Sequence, residues 1–144
     1  MVEWLQFSLR VWDRRGVEIR RAEFLDRLSL EPGDPVDVEN GLGVPRVQLF
    51  AVSMANMSHI DNTEDAGAQS EAFAAAIREG LIRAALWLER QPSDVFKNLR
   101  EFGHVTDVFV GGWITDGQFE LDLPPEFLLA CGKLGLTVSI CTND

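Results

Sequence analysis

Apolar and polar residues alternate near both ends of the chain, and this period of two limits what the chain can fold into. A strand places successive side chains on opposite faces, so each stretch predicts a strand with one buried face. We expect both strands in one shared sheet. The alternating apolar residues are Leu5, Phe7, Leu9 and Val11 in the first stretch, and Leu136, Val138 and Ile140 in the second.

Apolar residues between these stretches recur mostly at helical spacing. Ser93 is the predicted cap of one helix and Gly103 its C-terminal stop, while Pro124 and Pro125 begin another, as proline is tolerated there. The predicted helices are about 20–28, Ala66 or Ser70 to Arg90, 93–102, and one from Pro124 through Leu134. Further predicted strands are Arg46–Met57, Val105–Trp113 and Gln118–Leu123, the last two joined as a hairpin at Asp116-Gly117.

These elements predict a single α+β domain over residues 1–144. It would contain a mostly antiparallel sheet of about five strands with helices packed on one face. Trp12 and Gly16 have the same spacing as Trp113 and Gly117, which favours two similar strand–turn–helix–strand halves. In such a duplication Leu28-Ser29-Leu30 would correspond to Leu134-Gly135-Leu136, at the start of the final strand.

The net charge of −10 restricts the partners, because 23 acidic residues face 13 basic ones. Nucleic-acid binding depends on Lys and Arg, so nucleic acids and anionic membrane surfaces are excluded as expected partners and a basic protein is favoured. No apolar run reaches the length of a membrane span, and no secretory signal is predicted. Cys131 and Cys141 form no C-x-x-C, which favours a reducing, cytoplasmic location and inert core cysteines.

Residues 59–65 hold the densest group of potential ligands for a metal or small molecule. His59, Asp61 and Asp65 could bind a divalent cation if this loop folds back on itself. As a calcium loop the segment fails, because Ala66 and Ala72 stand where glycine and glutamate are required. Acidic residues near a helix N-terminus explain the same pattern through the helix dipole, so no metal is predicted.

His104 and Asp107 are the remaining candidates for acid–base chemistry. A paired aspartate and histidine could move a proton, but no serine or cysteine lies in a nucleophile motif such as G-x-S-x-G. We expect His104 instead to bond the last carbonyls of the preceding helix. The sequence therefore identifies no catalytic residue and no cofactor, and it favours a non-enzymatic protein.

Ile82 and Leu86 lie one helical turn apart and point away from the main apolar stripe of their helix. Either the 93–103 helix covers this second side, or the two residues belong to a contact surface, such as that of a homodimer. The second alternative predicts that Ile82→Asp converts a dimer into a folded monomer.

Two further segments are similar to a bacterial family, domain of unknown function 4279. The segments are Phe119 to Ala130 with Leu134 to Ile140, and Phe7-Ser8-Leu9-Arg10-Val11 with Leu28 to Pro32. The resemblance implies an α+β fold and a small bacterial protein, and it supplies no catalytic residues. The leading hypothesis is an acidic protein-binding domain, for example an immunity protein that neutralises a toxin, because the net charge is −10 and no catalytic motif is present. The alternative is a small-ligand or metal-binding protein that uses the 59–65 loop.

Overall fold

The computed structural model describes residues 2–12, 21–34, 36–38, 46–53, 66–115 and 120–143, and over these residues the chain is an α+β protein. The sheet contains five strands. They are β1 (Val2–Trp12), β2 (Asp37–Val38), β3 (Arg46–Ser53), β4 (Val105–Ile114) and β5 (Thr137–Thr142). The helices of the described part are α1 (Arg21–Arg27), α2 (Ala66–Glu89), α3 (Ser93–Glu101) and α4 (Pro125–Leu134).

The strands lie in the order β2-β3-β1-β4-β5. The central strand β1 runs antiparallel to β3 and β4, and β2 runs antiparallel to β3, whereas β5 is parallel to β4. The sheet is therefore mixed, with both terminal strands in it but separated by β4. The parallel pair follows from α4, because a helix between two strands returns the chain to the end at which the first strand began.

The predicted strand Gln118–Leu123, which would pair with β4 in a hairpin, is wrong over its described residues. Residues 120–123 form no strand, and the Asp116-Gly117 turn lies outside the described residues. Both edges of β4 are already occupied, one by β1 and the other by β5. Leu121 and Leu123 instead pack, partly buried, against the hydrophobic core.

The two halves of the predicted duplication differ in how the chain continues after the helix. Residues 28–30 form no strand, although the corresponding segment in the second half leads directly into β5. The backbone N–H of Ser29 donates to the Gln91 side chain at 2.8 Å, and the Gln91 amide donates back to the Ser29 carbonyl at 3.2 Å. These bonds tie the segment to the end of α2 and leave no strand partner for it.

The core lies on the face of the sheet that the alternation of β1 predicts. The four apolar side chains of that alternation are fully buried, and the buried apolar residues of the described chain form one cluster. Each of the four described helices contributes to this cluster, so these helices cover this one face. Their largest fully buried residues are Phe24 of α1, Trp87 of α2, Phe96 of α3 and Phe127 of α4.

The ends of α3 show one correct prediction and one wrong one. Gly103 follows the helix with φ +92°, a left-handed conformation that suits glycine, and the His104 N–H donates to the Leu99 carbonyl at 3.0 Å. Ser93 is not the cap, because it is already the first helical residue. Pro92 takes the cap position and offers no side-chain hydrogen bond.

The loop after α1 is fastened to the end of α2 by Asp34. Its carboxylate accepts bonds from Arg90 at 2.7 and 3.2 Å, from the Glu31 N–H at 2.8 Å and from the Trp87 indole at 3.2 Å. The bonds from Arg90 and the Glu31 backbone lower the pKa of Asp34 from 3.8 to about 2. The residues from Glu31 to Asp34, which follow α1, are therefore anchored to α2.

We expect this anchor to weaken in acid. The carboxylate has a lower pKa in the folded chain, so its stabilisation is complete above its unfolded pKa of 3.8 and is lost as the pH falls towards 2. Denaturant titrations of the wild type and Asp34→Asn across this range measure the effect. The stability difference between them should shrink as the pH falls, and a constant difference would rule out the charged anchor.

Candidate functional site

A groove of about 410 Å³ lies between the N-terminal half of α2 and the segment that leads into α4. Its walls are mostly apolar, and it is open to solvent at two acidic residues. Acidic and apolar residues alternate along the segment 120–123. Leu121 and Leu123 therefore turn towards the core, while Glu120 and Asp122 are exposed. The lining residues are Ala74, Ala75, Ile77 and Arg78 of α2, together with residues 120–125.

The carboxylates at this groove are not neutralised by the described part of the chain. Glu120 and Asp122 make no ion pair there, and neither does Arg78 on the opposite wall. Glu126 is exposed one residue beyond the groove, and Glu71 is exposed one helical turn before Ala74 and Ala75. The groove therefore combines an apolar interior with an excess of negative charge at its edge.

The buried charges of the molecule lie elsewhere, on the sheet face opposite the helices. Arg10 of β1 donates to both carboxylate oxygens of its cross-strand partner Asp107, at 3.0 and 2.7 Å. The guanidinium also lies 3.7 Å from the ring centre of Phe109. Both charged side chains are at most 10% exposed. This bidentate pair fixes the register of β1 and β4, which is a structural role.

Asp107 and His104 do not form an acid–base unit. The carboxylate of Asp107 faces Arg10, and no hydrogen bond joins it to His104 among the described residues. The expected side-chain bond from His104 to the helix end is also not made by Nδ1, which is buried without a partner there. The backbone N–H of His104 bonds the Leu99 carbonyl in its place.

The two cysteines differ in their surroundings. Cys131 is buried in α4, and this burial raises the pKa of its thiol to about 11, as expected for an unreactive core residue. Cys141 is exposed on β5, so its prediction as a core residue is wrong. The reason is that β5 is the last strand of the sheet, with no strand beyond it among the described residues.

The ligand-binding candidates His59, Asp61 and Asp65 lie outside the described residues, so a site in that loop stays a prediction. Within the described ranges, no group of three or more His, Cys, Asp or Glu side chains could hold a metal ion. No helix in those ranges is long and apolar enough to cross a bilayer.

The two residues of the predicted interface differ in exposure. Ile82 is partly buried and Leu86 is 60% exposed on the outer face of α2. A contact surface there stays a prediction. Phe102, an aromatic residue that is 70% exposed, lines a smaller depression of about 290 Å³ beside α3.

Comparison with known proteins found no match, whether among family models, curated proteins or solved structures. The resemblance to domain of unknown function 4279 therefore still depends on the segments quoted above. The groove was not predicted from the sequence, although residues 120–123 alternate between acidic and apolar side chains. That alternation predicted a strand, and it also fits an extended segment that shields the core without pairing.

Proposed function

We propose that this chain is an acidic, non-enzymatic protein-binding domain and that the groove between α2 and residues 120–125 receives a basic segment of its partner. The single observation that supports the proposal is the juxtaposition of an apolar groove with Glu120 and Asp122, which form no ion pair with the described residues. A toxin bound by an immunity protein would be one partner of this kind.

The groove suits lysine and arginine side chains because their two ends differ. Their aliphatic stems can lie along Ala74, Ala75 and Pro125, while the charged heads reach the carboxylates at the edge. Arg78 on the opposite wall would repel a second basic group and could pair with an acidic residue of the partner. The preferred segment is therefore basic and apolar, with its positive charge near residues 120–122.

The charge of the whole chain supports the same partner. At −10 the molecule attracts cations over a distance and steers a basic protein towards it. The electrostatic field of the net charge acts over the whole surface, so it raises the association rate but does not determine where the partner binds. The groove would determine that position.

The test uses a synthetic peptide that alternates Lys and Leu, and the variant Glu120→Gln/Asp122→Asn. Each lost exposed ion pair removes about 0.2–1 kcal/mol, so the double variant should bind the peptide several-fold more weakly. Isothermal titration calorimetry at low and high salt measures the dissociation constants. Binding should weaken with salt, because the attraction is between exposed charges.

The matched control is Asp26→Asn/Glu101→Gln, which removes the same charge from exposed positions on α1 and α3. It should retain nearly wild-type affinity if the groove is the contact. Equal weakening by both pairs would show that only net charge matters. An affinity that neither pair changes would also count against the groove.

A further inference from the structure

We propose that a second copy of this chain pairs with the outer edge of β5, where the described residues place no further strand, so that two sheets join into one across a twofold axis. The two β5 strands would run antiparallel, and the two α4 helices would pack side by side above them. This surface is separate from the groove and does not depend on the function proposed for it.

The outer edge of β5 lacks the usual protection against pairing. No strand lies beyond β5 among the described residues, and residues 137–142 contain no charge, no proline and no glycine. Four of these six residues are β-branched, which favours extended backbone. Exposed edges are normally blocked by charged residues, proline or a covering segment, because their free backbone groups accept another strand.

Apolar side chains are exposed along the same edge. Ile140 is 52% exposed although it lies on the core side of the sheet, next to Val110 in register. Leu128 on α4 is 47% exposed. Gly132 follows Leu128 by one turn, and a side chain there would meet nothing within 4 Å. Glycine inside a helix costs about 0.5–1 kcal/mol relative to alanine, so a close approach at this position would explain its presence.

The topology places these residues together. A strand–helix–strand unit with parallel strands is almost always right-handed, and α2 packs on the side of α4 away from β5. With the buried Phe127 and Leu134 facing the sheet, helical spacing turns Leu128 and Gly132 towards the outer edge. Leu129, one residue further, points away from the sheet and is 56% exposed.

The dimensions suit a second copy. Strands in a sheet lie about 4.8 Å apart, so two helices that each lie over their own β4–β5 pair would be about 10 Å apart across the axis. Packed helices have axes about 8–10 Å apart. With Ser139 on the twofold axis, Val138 would lie opposite the partner's Ile140 on the core side. Both exposed isoleucines would then be covered.

The lack of charge on β5 favours a second β5 strand as its partner, and not the basic segment that suits the groove. Each chain carries −10, yet the edge strand itself is uncharged and offers a basic segment no counter-charge. An identical strand is equally uncharged and has the same β-branched pattern. Because the two chains repel each other as a whole, the dimer should strengthen with added salt, whereas binding at the groove should weaken.

The test measures the mass of the protein in solution by light scattering over a range of concentrations, with a reducing agent present to exclude a Cys141 disulfide. The wild type should reach twice the chain mass. Leu128→Lys and Ile140→Lys should each remain monomeric, and circular dichroism should show that they are folded. Leu129→Lys has the same charge change on the same helix and should dimerise like the wild type.

A wild type that stays monomeric at every concentration and at high salt would overturn the proposal. A dimer that survives both Leu128→Lys and Ile140→Lys would also overturn it. Leu86→Lys tests the outer face of α2 as an alternative interface. If this variant fails to dimerise, the interface lies on that face. None of these results alters peptide binding at the groove, so the two proposals fail independently.

Discussion

Replacing Asp107 with alanine is expected to lower the free energy of unfolding by about 3 kcal/mol. The guanidinium of Arg10 is at most 10% exposed and loses both bonds to the carboxylate, at 2.7 and 3.0 Å. A buried charge that loses a bidentate carboxylate partner keeps its cost of desolvation while the attraction that offsets this cost falls. Denaturant unfolding followed by tryptophan fluorescence measures the change.

The double variant Arg10→Met/Asp107→Leu serves as the control for this prediction. It removes both charges and keeps apolar bulk between β1 and β4, so we expect it to be more stable than Asp107→Ala alone. The double variant also loses the stacking of Arg10 on Phe109, so we expect it to regain only part of the stability that Asp107→Ala loses. A single variant within about 0.5 kcal/mol of the wild type, as surface changes usually are, would contradict the structural role of the pair.

Gly80→Ala is expected to destabilise the protein by about 1–3 kcal/mol, although alanine is the better helix former. Gly80 lies in the middle of α2, where helix propensity alone predicts a gain of about 1 kcal/mol. A methyl group there would overlap the ring of Phe50 on β3. That ring cannot move freely, because it stacks on Phe7 with centres 4.3 Å apart. Thermal and denaturant unfolding show whether Gly80→Ala lowers or raises the stability.

The control compares Gly80→Ala in the wild type with Gly80→Ala in a protein that carries Phe50→Leu. The smaller side chain opens space above Gly80, so Gly80→Ala should cost less in the Phe50→Leu protein than in the wild type. This coupling between the two positions is what a double-mutant cycle measures. Equal effects in both backgrounds, or a stabilised single variant, would show that α2 does not approach β3 as closely as the structure indicates.

The elements with strong local patterns were predictable from the sequence. The alternation of β1 identified its buried face, and the apolar stripe indicated α2, whose end at Glu89 lies within a residue of the predicted Arg90 and whose start at Ala66 is one of the two predicted positions. Pro125 marked the start of α4 because its fixed φ suits the first helical position. These signals involve residues close in sequence, so no partner had to be known.

Pairing between distant residues was not predictable in the same way. The alternation of residues 120–123 indicates extended backbone, but whether it pairs depends on which strands already occupy the edges of β4. The same reasoning applies to the candidate site. Glu120 and Asp122 were visible as acids, while their position at a groove depends on where α2 lies.

The sequence by itself determined the α+β class, the buried face of β1, the apolar face of the long helix and the negative charge, since each depends on local periodicity or composition. Only the tertiary structure decided that β5 runs parallel to β4, that Arg10 meets Asp107 and that Gly80 must lack a side chain. The physical reason is that these features join residues far apart in the chain. Their energies depend on packing and on the burial of charge, which exist only once the elements have assembled.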